Sequence, residues 1–226
     1  MLKITYIAHS AFILDDGKYK VALDPFITGN PNATIKLEDV KPDFIFVSHG
    51  HGDHIGDTIE LAKANDSTVI TIADLAYYLN KKGIKTHDMN IGGEYEFPFG
   101  TLKMTMAQHS AGSLEGESMG NSTGAIISMG GRKVYFAGDT GLFVDMKFIG
   151  EISKPDVLML PIGGNYTMGI DDAVKAVELI NTADIVIPMH FNTFPVIKTD
   201  VEKFKNKIAD IGKKAIVLGY GETISL

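Results

Sequence analysis

Short runs of apolar residues alternate along the whole chain with polar stretches that contain Gly, Pro, Asn or Asp. Continuous or alternating apolar runs predict β-strands, whereas apolar residues at helical spacing predict helices. We predict strands at residues 4–8, 11–14, 19–23, 44–47, 68–72, 95–97, 101–106, 123–129, 133–137, 157–160, 185–188, 215–217 and 222–225. We predict helices at residues 55–64, 74–82, 142–152, 171–180 and 200–211. Strands interleaved with helices are typical of a layered α/β fold.

Turn and loop signals connect the predicted elements. Asp15-Asp16-Gly17 and Gly130-Gly131 each predict a hairpin, and the first two strands are alternatively one long strand interrupted near His9. Residues 27–39 predict a loop, and residues 110–122, rich in Ser, Gly and Glu, predict a flexible loop. The last two predicted strands are expected to close a second sheet.

A short motif occurs twice, each time directly before a predicted strand. Val40-Lys41-Pro42-Asp43 precedes the strand at 44–47, and Ser153-Lys154-Pro155-Asp156 precedes the strand at 157–160. We interpret this pair as a weak internal repeat, which fits a fold built from two similar β/α halves. The 226 residues are expected to form a single domain, because this length can bury a substantial core.

The strand predicted at residues 44–47 ends in a dense group of potential metal ligands. His49, His51, Asp53 and His54 all lie in the loop that follows it. Neutral imidazole and carboxylate hold hard-to-borderline divalent metals, and α/β sheets usually carry their sites in loops at the carboxyl ends of strands. A solvated histidine-rich loop is the alternative, but the order strand, loop, helix favours a ligand loop.

The same loop suggests two local features. Gly50 and Gly52 stand where a tightly bending backbone favours residues without a Cβ atom. Asp53 is placed to help cap the helix predicted at residues 55–64. Both expectations concern the backbone and can be tested directly in the structure.

Three further candidate ligands follow predicted strands far away in the sequence. They are His109, Asp139 and His190. The alternatives are an ordinary loop histidine, a helix-capping aspartate and a satisfied core histidine, respectively. We interpret all three as ligands because a strand end delivers each of them.

Composition and charge exclude several classes of protein. The net charge is −7, Arg132 is the only arginine and the lysines are scattered, which argues against nucleic-acid binding. The absence of cysteine excludes disulfides and thiolate ligands. No apolar run has the length of a membrane span, and the N-terminus has no signal-peptide layout, so we expect a cytoplasmic protein without membrane contact.

His49-Gly50-His51-Gly52-Asp53-His54 matches the His-x-His-x-Asp-His signature of the metallo-β-lactamase superfamily. Within this superfamily, the chain most resembles the small metal-dependent hydrolases near the ascorbate-phosphate lactonase branch. This narrower resemblance is carried by residues 6–12, 23–26, 137–140 and 188–195. The resemblance covers nearly the whole chain and implies a four-layer αββα sandwich with metals at one edge.

The resemblance also implies a set of site residues. His49, His51 and His109 would hold a first divalent ion, Asp53, His54 and His190 a second, and Asp139 would bridge the two. Asp24 is a candidate partner for the second N–H of a ligand histidine, with a plain turn aspartate as the alternative. His9 is expected to line the pocket or to donate to a substrate oxygen as a catalytic residue, with a buried structural role as the alternative. We favour zinc, with Mn, Ni, Fe or Co as alternatives.

These residues together predict a hydrolase in which a metal-bridging hydroxide attacks an ester-type bond of a small molecule, with Asp53 accepting the released proton. A lactone or a phosphodiester is the expected substrate. A metabolite sensor, a nucleotide phosphodiesterase and a di-iron redox enzyme are the alternatives. We also expect an exposed His87, a Tyr166 that faces the pocket beside an Asn165 in a turn or in the pocket, and weakly a homo-oligomer.

Overall fold

A computed structural model describes residues 1–113 and 116–226. The described residues form the strands β1 (Lys3–Ala8), β2 (Ala11–Asp15), β3 (Lys20–Leu23), β4 (Phe44–Phe46), β5 (Thr68–Ile72), β6 (Thr86–Met89), β7 (Glu94–Phe97), β8 (Gly100–Met106), β9 (Thr123–Met129), β10 (Arg132–Phe136), β11 (Val157–Pro161), β12 (Ile185–Met189), β13 (Lys214–Ala215) and β14 (Thr223–Ser225). Every predicted strand is present, most within one or two residues of its expected bounds. The first two strands are separate and antiparallel, so the single long strand is excluded.

The helices are α1 (Gly52–Ile55), α2 (Thr58–Asn65), α3 (Ala73–Lys81), α4 (Met146–Phe148), α5 (Ile170–Ile180) and α6 (Val201–Asp210). The helix predicted at residues 55–64 is therefore two helices, and the one predicted at 142–152 is α4 continued by a π-helical turn at Ile149–Ser153. Asp53 lies inside α1 and does not cap α2, whose N-cap residue is Asp57. In the described part of the chain, no helix is long and apolar enough to cross a membrane.

The two sheets have matching strand orders. The first is β14-β1-β2-β3-β4-β5-β6 and the second is β7-β8-β9-β10-β11-β12-β13, each with antiparallel strands on one side and parallel strands on the other. The backbone N–H of Lys20 donates to the Asp43 carboxylate at 2.7 Å, and that of Lys133 donates to Asp156 at 2.7 Å. The repeated motif thus makes the same contact in both halves, which confirms the internal repeat.

The sheets pack face to face through large aromatic side chains. The ring of Phe136 in β10 lies 6.3 Å from that of Phe12 in β2 and 6.1 Å from that of Phe46 in β4. All three side chains are fully buried. Helices α2 and α3 cover the first sheet and α5 and α6 cover the second, which confirms the four-layer αββα arrangement.

Two expectations about the sheets are wrong. The last strand, β14, pairs with β1 and so belongs to the first sheet, not the second. Residues 86–89, which are too polar to predict a strand, form the edge strand β6. His87 in this strand is half-buried rather than exposed, with its ring 4.2 Å from Tyr95 and 4.8 Å from Phe97. Aromatic side chains of β7, the next strand along the chain, cover this edge and compensate for its polar sequence.

Candidate metal centre

The candidate site lies where strands of both sheets end. Each candidate residue follows the carboxyl end of a strand: His9 follows β1, Asp24 follows β3, His49 to His54 follow β4, His109 follows β8, Asp139 follows β10 and His190 follows β12. Because the two halves repeat one topology, these ends meet at one edge of the sandwich. This is the position at which α/β sheets usually place their sites.

Three site residues have left-handed backbone conformations. The φ angles of His9, Asp24 and His190 are 58°, 41° and 53°. Such a conformation costs an L-residue about 1–3 kcal/mol and persists where neighbouring contacts hold it. The N–H of His190 donates to the carbonyl of His9 at 2.8 Å, and the N–H of Asp24 donates to the carbonyl of Phe46 at 3.0 Å. The backbone strain is thus concentrated where strands turn into the site.

The structure brings all seven predicted ligands together. The ligand atoms of His49, His51 and His109 lie within 4.8 Å of one another, and so do those of a second cluster formed by His9, Asp53, His54 and His190. Asp139 lies between the clusters: its Oδ2 is 3.0 Å from His190 Nε2, 3.2 Å from His54 Nε2 and 3.5 Å from His109 Nε2. A single carboxylate oxygen therefore contacts imidazoles of both clusters.

The unpaired atoms of this site fit divalent cations. Asp139 Oδ1 and His190 Nδ1 are buried and have no hydrogen-bond partner among the described residues, and buried His54 Nε2 has its close contact with Asp139 Oδ2 without hydrogen-bond geometry. His49 Nε2 faces His51 Nδ1 at 2.9 Å. Buried polar atoms without partners call for a specific explanation, and a cation is one that satisfies several of them at once. Imidazole nitrogens and carboxylate oxygens without thiolate suit zinc, and also Mn, Fe, Co or Ni.

Asp24 links the two clusters. Its Oδ2 accepts from His54 Nδ1 at 2.6 Å and from Ser48 Oγ at 2.6 Å, and its Oδ1 accepts from the Ser48 N–H at 2.7 Å. Because the Ser48 hydroxyl donates to Asp24, it is free to accept from His49 Nδ1, which lies 2.9 Å away. One buried carboxylate thus orients a histidine of each cluster, which agrees with the proposed supporting role of Asp24. Ser48 completes this link.

His9 does not line the pocket. Its side chain is fully buried, with Nε2 3.1 Å from Asp53 Oδ2 and Nδ1 2.9 Å from Thr193 Oγ1. The expectation that His9 reaches a substrate oxygen is therefore corrected: both ring nitrogens already contact protein groups behind the site. Thr193 was not identified as a site residue from the sequence, although it lies in the segment 188–195 that carries part of the family resemblance.

Burial sets the protonation state of the first cluster, which consists of His49, His51 and His109. It lowers the pKa of the His49 imidazole well below its ordinary value, and it also lowers the pKa values of His51 and His109. Burial disfavours the charged form of an imidazole, so these side chains are neutral near neutral pH. A neutral imidazole is the form that binds a metal.

The second cluster is governed by its carboxylates. Burial opposes protonation of His54, but Asp139 and Asp24 outweigh it and raise the pKa of His54 well above its ordinary value. Burial likewise opposes ionisation of Asp139, but His190 and His54 hold the pKa of that carboxyl well below its usual range. The carboxylates thus create a strongly cation-attracting point at His54 Nε2, where a metal ion would replace the proton.

A cavity of about 490 Å³ opens onto the candidate ligands. The described residues that line it are His51, Asp53, His109, Ser110, Asp139, Tyr166, His190, Phe194 and Val196. Tyr166 faces the pocket as expected. Asn165 is not part of this lining and has a φ of 56°, so its turn interpretation holds. Phe194 and Val196 were not identified from the sequence, because scattered apolar loop residues carry no signal of their own.

Gly50 is required for packing rather than for bending. Neither Gly50 nor Gly52 has a positive φ, which corrects the expectation of a tight turn. A Cβ atom on Gly50 would lie 2.6 Å from Met119 Cγ.

Met119 is buried and belongs to the loop predicted at residues 110–122, whose residues 114 and 115 lie outside the described residues. Around them, Gly112 bridges to Ser118, and Met119 N–H donates to the Ala111 carbonyl at 3.1 Å. The loop is thus anchored on the ligand segment at Gly50.

Comparisons of the sequence and of the structure with known proteins agree on one family. A family model described as a beta-lactamase superfamily domain matches residues 3–190. The chain is 46% identical over 227 residues to a UPF0173 metal-dependent hydrolase of Carboxydothermus hydrogenoformans, covering 100% of both chains. It is 46% identical over 229 residues to one of Archaeoglobus fulgidus, covering 98% of each. Igni18, described as a novel metallo hydrolase from Ignicoccus hospitalis, superposes with a TM-score of 0.91 at 41% identity, covering 99% of this chain and 97% of that one. The chain therefore belongs to the metallo-β-lactamase superfamily, within its metal-dependent hydrolases.

Proposed function

We propose that the chain hydrolyses an ester-type bond of a small molecule with two divalent cations. The proposed ligands are His49, His51 and His109 for one ion, Asp53, His54 and His190 for the other, and Asp139 between them. Lactones and phosphodiesters are the substrate classes that this chemistry serves. Zinc is the favoured metal, and Mn, Ni, Fe or Co are alternatives that the same imidazole and carboxylate donors suit.

The position of Asp139 carries this proposal. Its Oδ2 lies within 3.5 Å of imidazoles from both clusters. Two divalent cations held close together repel each other strongly, and a carboxylate between them offsets part of that repulsion. A site for one ion would need neither the second cluster nor a carboxylate in this central position.

The chain's own residues would orient and deprotonate the attacking water. When bound, divalent ions supply Lewis acidity, which makes water acidic and polarises the bond under attack. The Asp53 carboxylate reaches the cavity wall with 30% of its side chain exposed. Burial disfavours its charge, but the hydrogen bond with His9 and the nearby imidazoles of His54 and His9 together outweigh burial and lower the Asp53 pKa, so the carboxylate stays ionised. An ionised carboxylate at this point can accept the proton that water releases.

The cavity restricts the substrate to a small molecule. Its volume of about 490 Å³ is typical of sites for small ligands. The candidate ligands form its floor, so a reacting bond would lie against them while the rest of the molecule contacts the loops.

Metal analysis together with an activity screen tests the proposal. We expect purified protein to bind about two equivalents of divalent metal and to turn over at least one of a panel of lactones, phosphodiesters and thioesters. His51→Ala should lose activity and metal. His87→Ala is the matched control, since His87 lies on the edge strand β6 away from the site. A protein without metal, a fully active His51→Ala variant, or ligand binding without turnover across the panel would contradict the proposal.

A further inference from the structure

We infer that the substrate is an uncharged carbonyl ester or lactone that carries an apolar group, and that this group lies against Tyr166, Phe194 and Val196. The inference rests on the proposed hydrolytic function and deepens it, because it names the substrate class. It depends on two observations: the apolar part of the cavity wall and the absence of cationic side chains from the described lining.

The cavity has two chemically different parts. The candidate ligands and Ser110 form one, and Tyr166, Phe194 and Val196 form the other. Tyr166 and Val196 each have 58% of their surface exposed, although large apolar side chains are normally buried. Exposed apolar residues grouped beside polar catalytic groups are typical of a binding site for an apolar ligand.

The apolar wall is held by an ordered backbone. Val196 lies in a 3-10 turn, Pro195–Ile197, in which Ile197 is fully buried and its carbonyl accepts from Asn192 N–H at 3.0 Å. Phe194 packs with its ring 5.6 Å from that of buried His9. Tyr166 is held by a turn in which its N–H donates to the Gly164 carbonyl at 2.6 Å. These side chains are therefore presented to the cavity rather than exposed by chance.

No lysine or arginine is among the described residues that line the cavity. The only arginine, Arg132, begins β10, whose opposite end leads to Asp139. Lys198 and Lys203 line a neighbouring cavity together with aspartates, including Asp171. Proteins that bind phosphoryl groups usually supply Arg or Lys for the anionic oxygens. A phosphorylated substrate would have no such partner here, whereas a neutral ester needs none.

The reacting bond follows from the same argument. A carbonyl ester develops one oxyanion during attack, and the cation pair can stabilise that charge. A phosphodiester brings an additional anionic oxygen for which this lining offers no cationic side chain. In the proposed step the carbonyl carbon gains a bond to the oxygen of water and the acyl C–O bond breaks. The proton taken up by Asp53 passes to the leaving alkoxide, so an open ester gives a carboxylic acid and an alcohol, and a lactone gives a single hydroxy acid.

A series of γ-lactones with alkyl side chains of increasing length tests the inference on the metal-loaded full chain. We expect kcat/KM to rise about fourfold per added methylene until the cavity is filled, as burial of a methylene predicts. Bis(p-nitrophenyl) phosphate serves as the anionic comparison and should be the poorer substrate. A flat series, or a preference for the phosphodiester, would overturn the inference.

Six variants test which residues produce the dependence on chain length. Tyr166→Ala and Val196→Ala should flatten the dependence on chain length, with the largest loss of kcat/KM for the longest lactones. Tyr77→Ala and Val144→Ala are the matched controls, since both residues are exposed and neither is in the cavity lining. Tyr166→Phe should retain the full dependence, because the ring face and not the hydroxyl makes the contact. Loss of the dependence in Tyr166→Phe, or a lower rate in Lys198→Ala, would count against an uncharged apolar substrate.

The failure of this inference can be separated from the failure of the proposed function. Metal-loaded protein that turns over no ester of any class contradicts the hydrolytic function itself. Protein that hydrolyses esters but shows no dependence on side-chain length contradicts the inferred substrate class alone.

Discussion

His9 Nε2 lies 3.1 Å from Asp53 Oδ2, and the same imidazole contacts Thr193 Oγ1 through Nδ1 at 2.9 Å. The ring is fully buried, so it holds Asp53 from behind while the other side of the carboxylate reaches the cavity. Burial lowers the pKa of His9 to about 4, which keeps the ring neutral at neutral pH. His9 is therefore a positioning residue that acts through Asp53.

Loss of the contact between His9 and Asp53 should weaken metal binding or catalysis without abolishing either. We expect His9→Ala to lower metal affinity or kcat about 10–100-fold, as is usual when a partner of a ligand is lost. Thr193→Val should have a smaller effect of the same kind, and Thr193→Ser should restore normal values because it keeps the hydroxyl. Metal titration and steady-state kinetics measure both. A loss in Thr193→Ser together with normal values in Thr193→Val would show that the methyl packing matters and not the contact with His9.

Asp24 should control metal binding at both clusters. Asp24→Asn leaves His54 Nδ1 and the Ser48 hydroxyl with a weaker acceptor, so we expect about a 10–100-fold loss of metal affinity. Ser48→Ala should affect chiefly the ion bound near His49, because only that histidine depends on the hydroxyl. Competition with a chromogenic chelator measures the two affinities.

Asp66→Asn is the matched control for Asp24→Asn. Asp66 also has a left-handed backbone, with φ of 54°, but its side chain is on the surface. Normal metal affinity in Asp24→Asn would show that Asp24 is only a turn residue.

Gly50 and Met119 should be energetically coupled. Gly50→Ala places a methyl group against Met119, and such overpacking costs about 1–3 kcal/mol. Met119→Ala makes room for it, so the double variant should be less destabilised than the sum of the single variants by about 0.5–3 kcal/mol. Urea unfolding of the four proteins measures this. Gly169→Ala is a control, since no atom lies within 4 Å of its added Cβ; strict additivity would mean that the two residues do not touch.

Removal of metal should destabilise the folded protein. Ligands that bind only the native state add about 2.7 kcal/mol of stability when present at 100 times their dissociation constant. We therefore expect EDTA to lower the midpoint of thermal unfolding and added Zn²⁺ to restore it. His51→Ala should respond less than the parent protein, and His87→Ala should respond as the parent does. Unchanged midpoints in EDTA would indicate that the clusters hold no metal.

Much of the fold and of the candidate site could be predicted from the sequence. Apolar runs placed all the strands except β6, and the motifs around Asp43 and Asp156 revealed the two halves. Strand ends identified all seven proposed ligands, because strand periodicity is a local property and because parallel strands of one sheet end at a common edge. The sheet assignment of β14 and the strand at His87 could not be predicted. The strand β14 pairs with β1 at the other end of the chain, and the polar β6 depends on pairing with β5 and on the aromatic side chains of β7.

Tertiary structure alone decided how the site is supported and what it can hold. The sequence determined which side chains have metal-binding chemistry, because that chemistry belongs to residue types and to their short spacing. The folded chain placed His9 behind Asp53, joined Ser48 to Asp24, and grouped Tyr166, Phe194 and Val196 around one cavity. These contacts join segments separated by many residues, and no local pattern records which distant surfaces will meet when the two halves pack together.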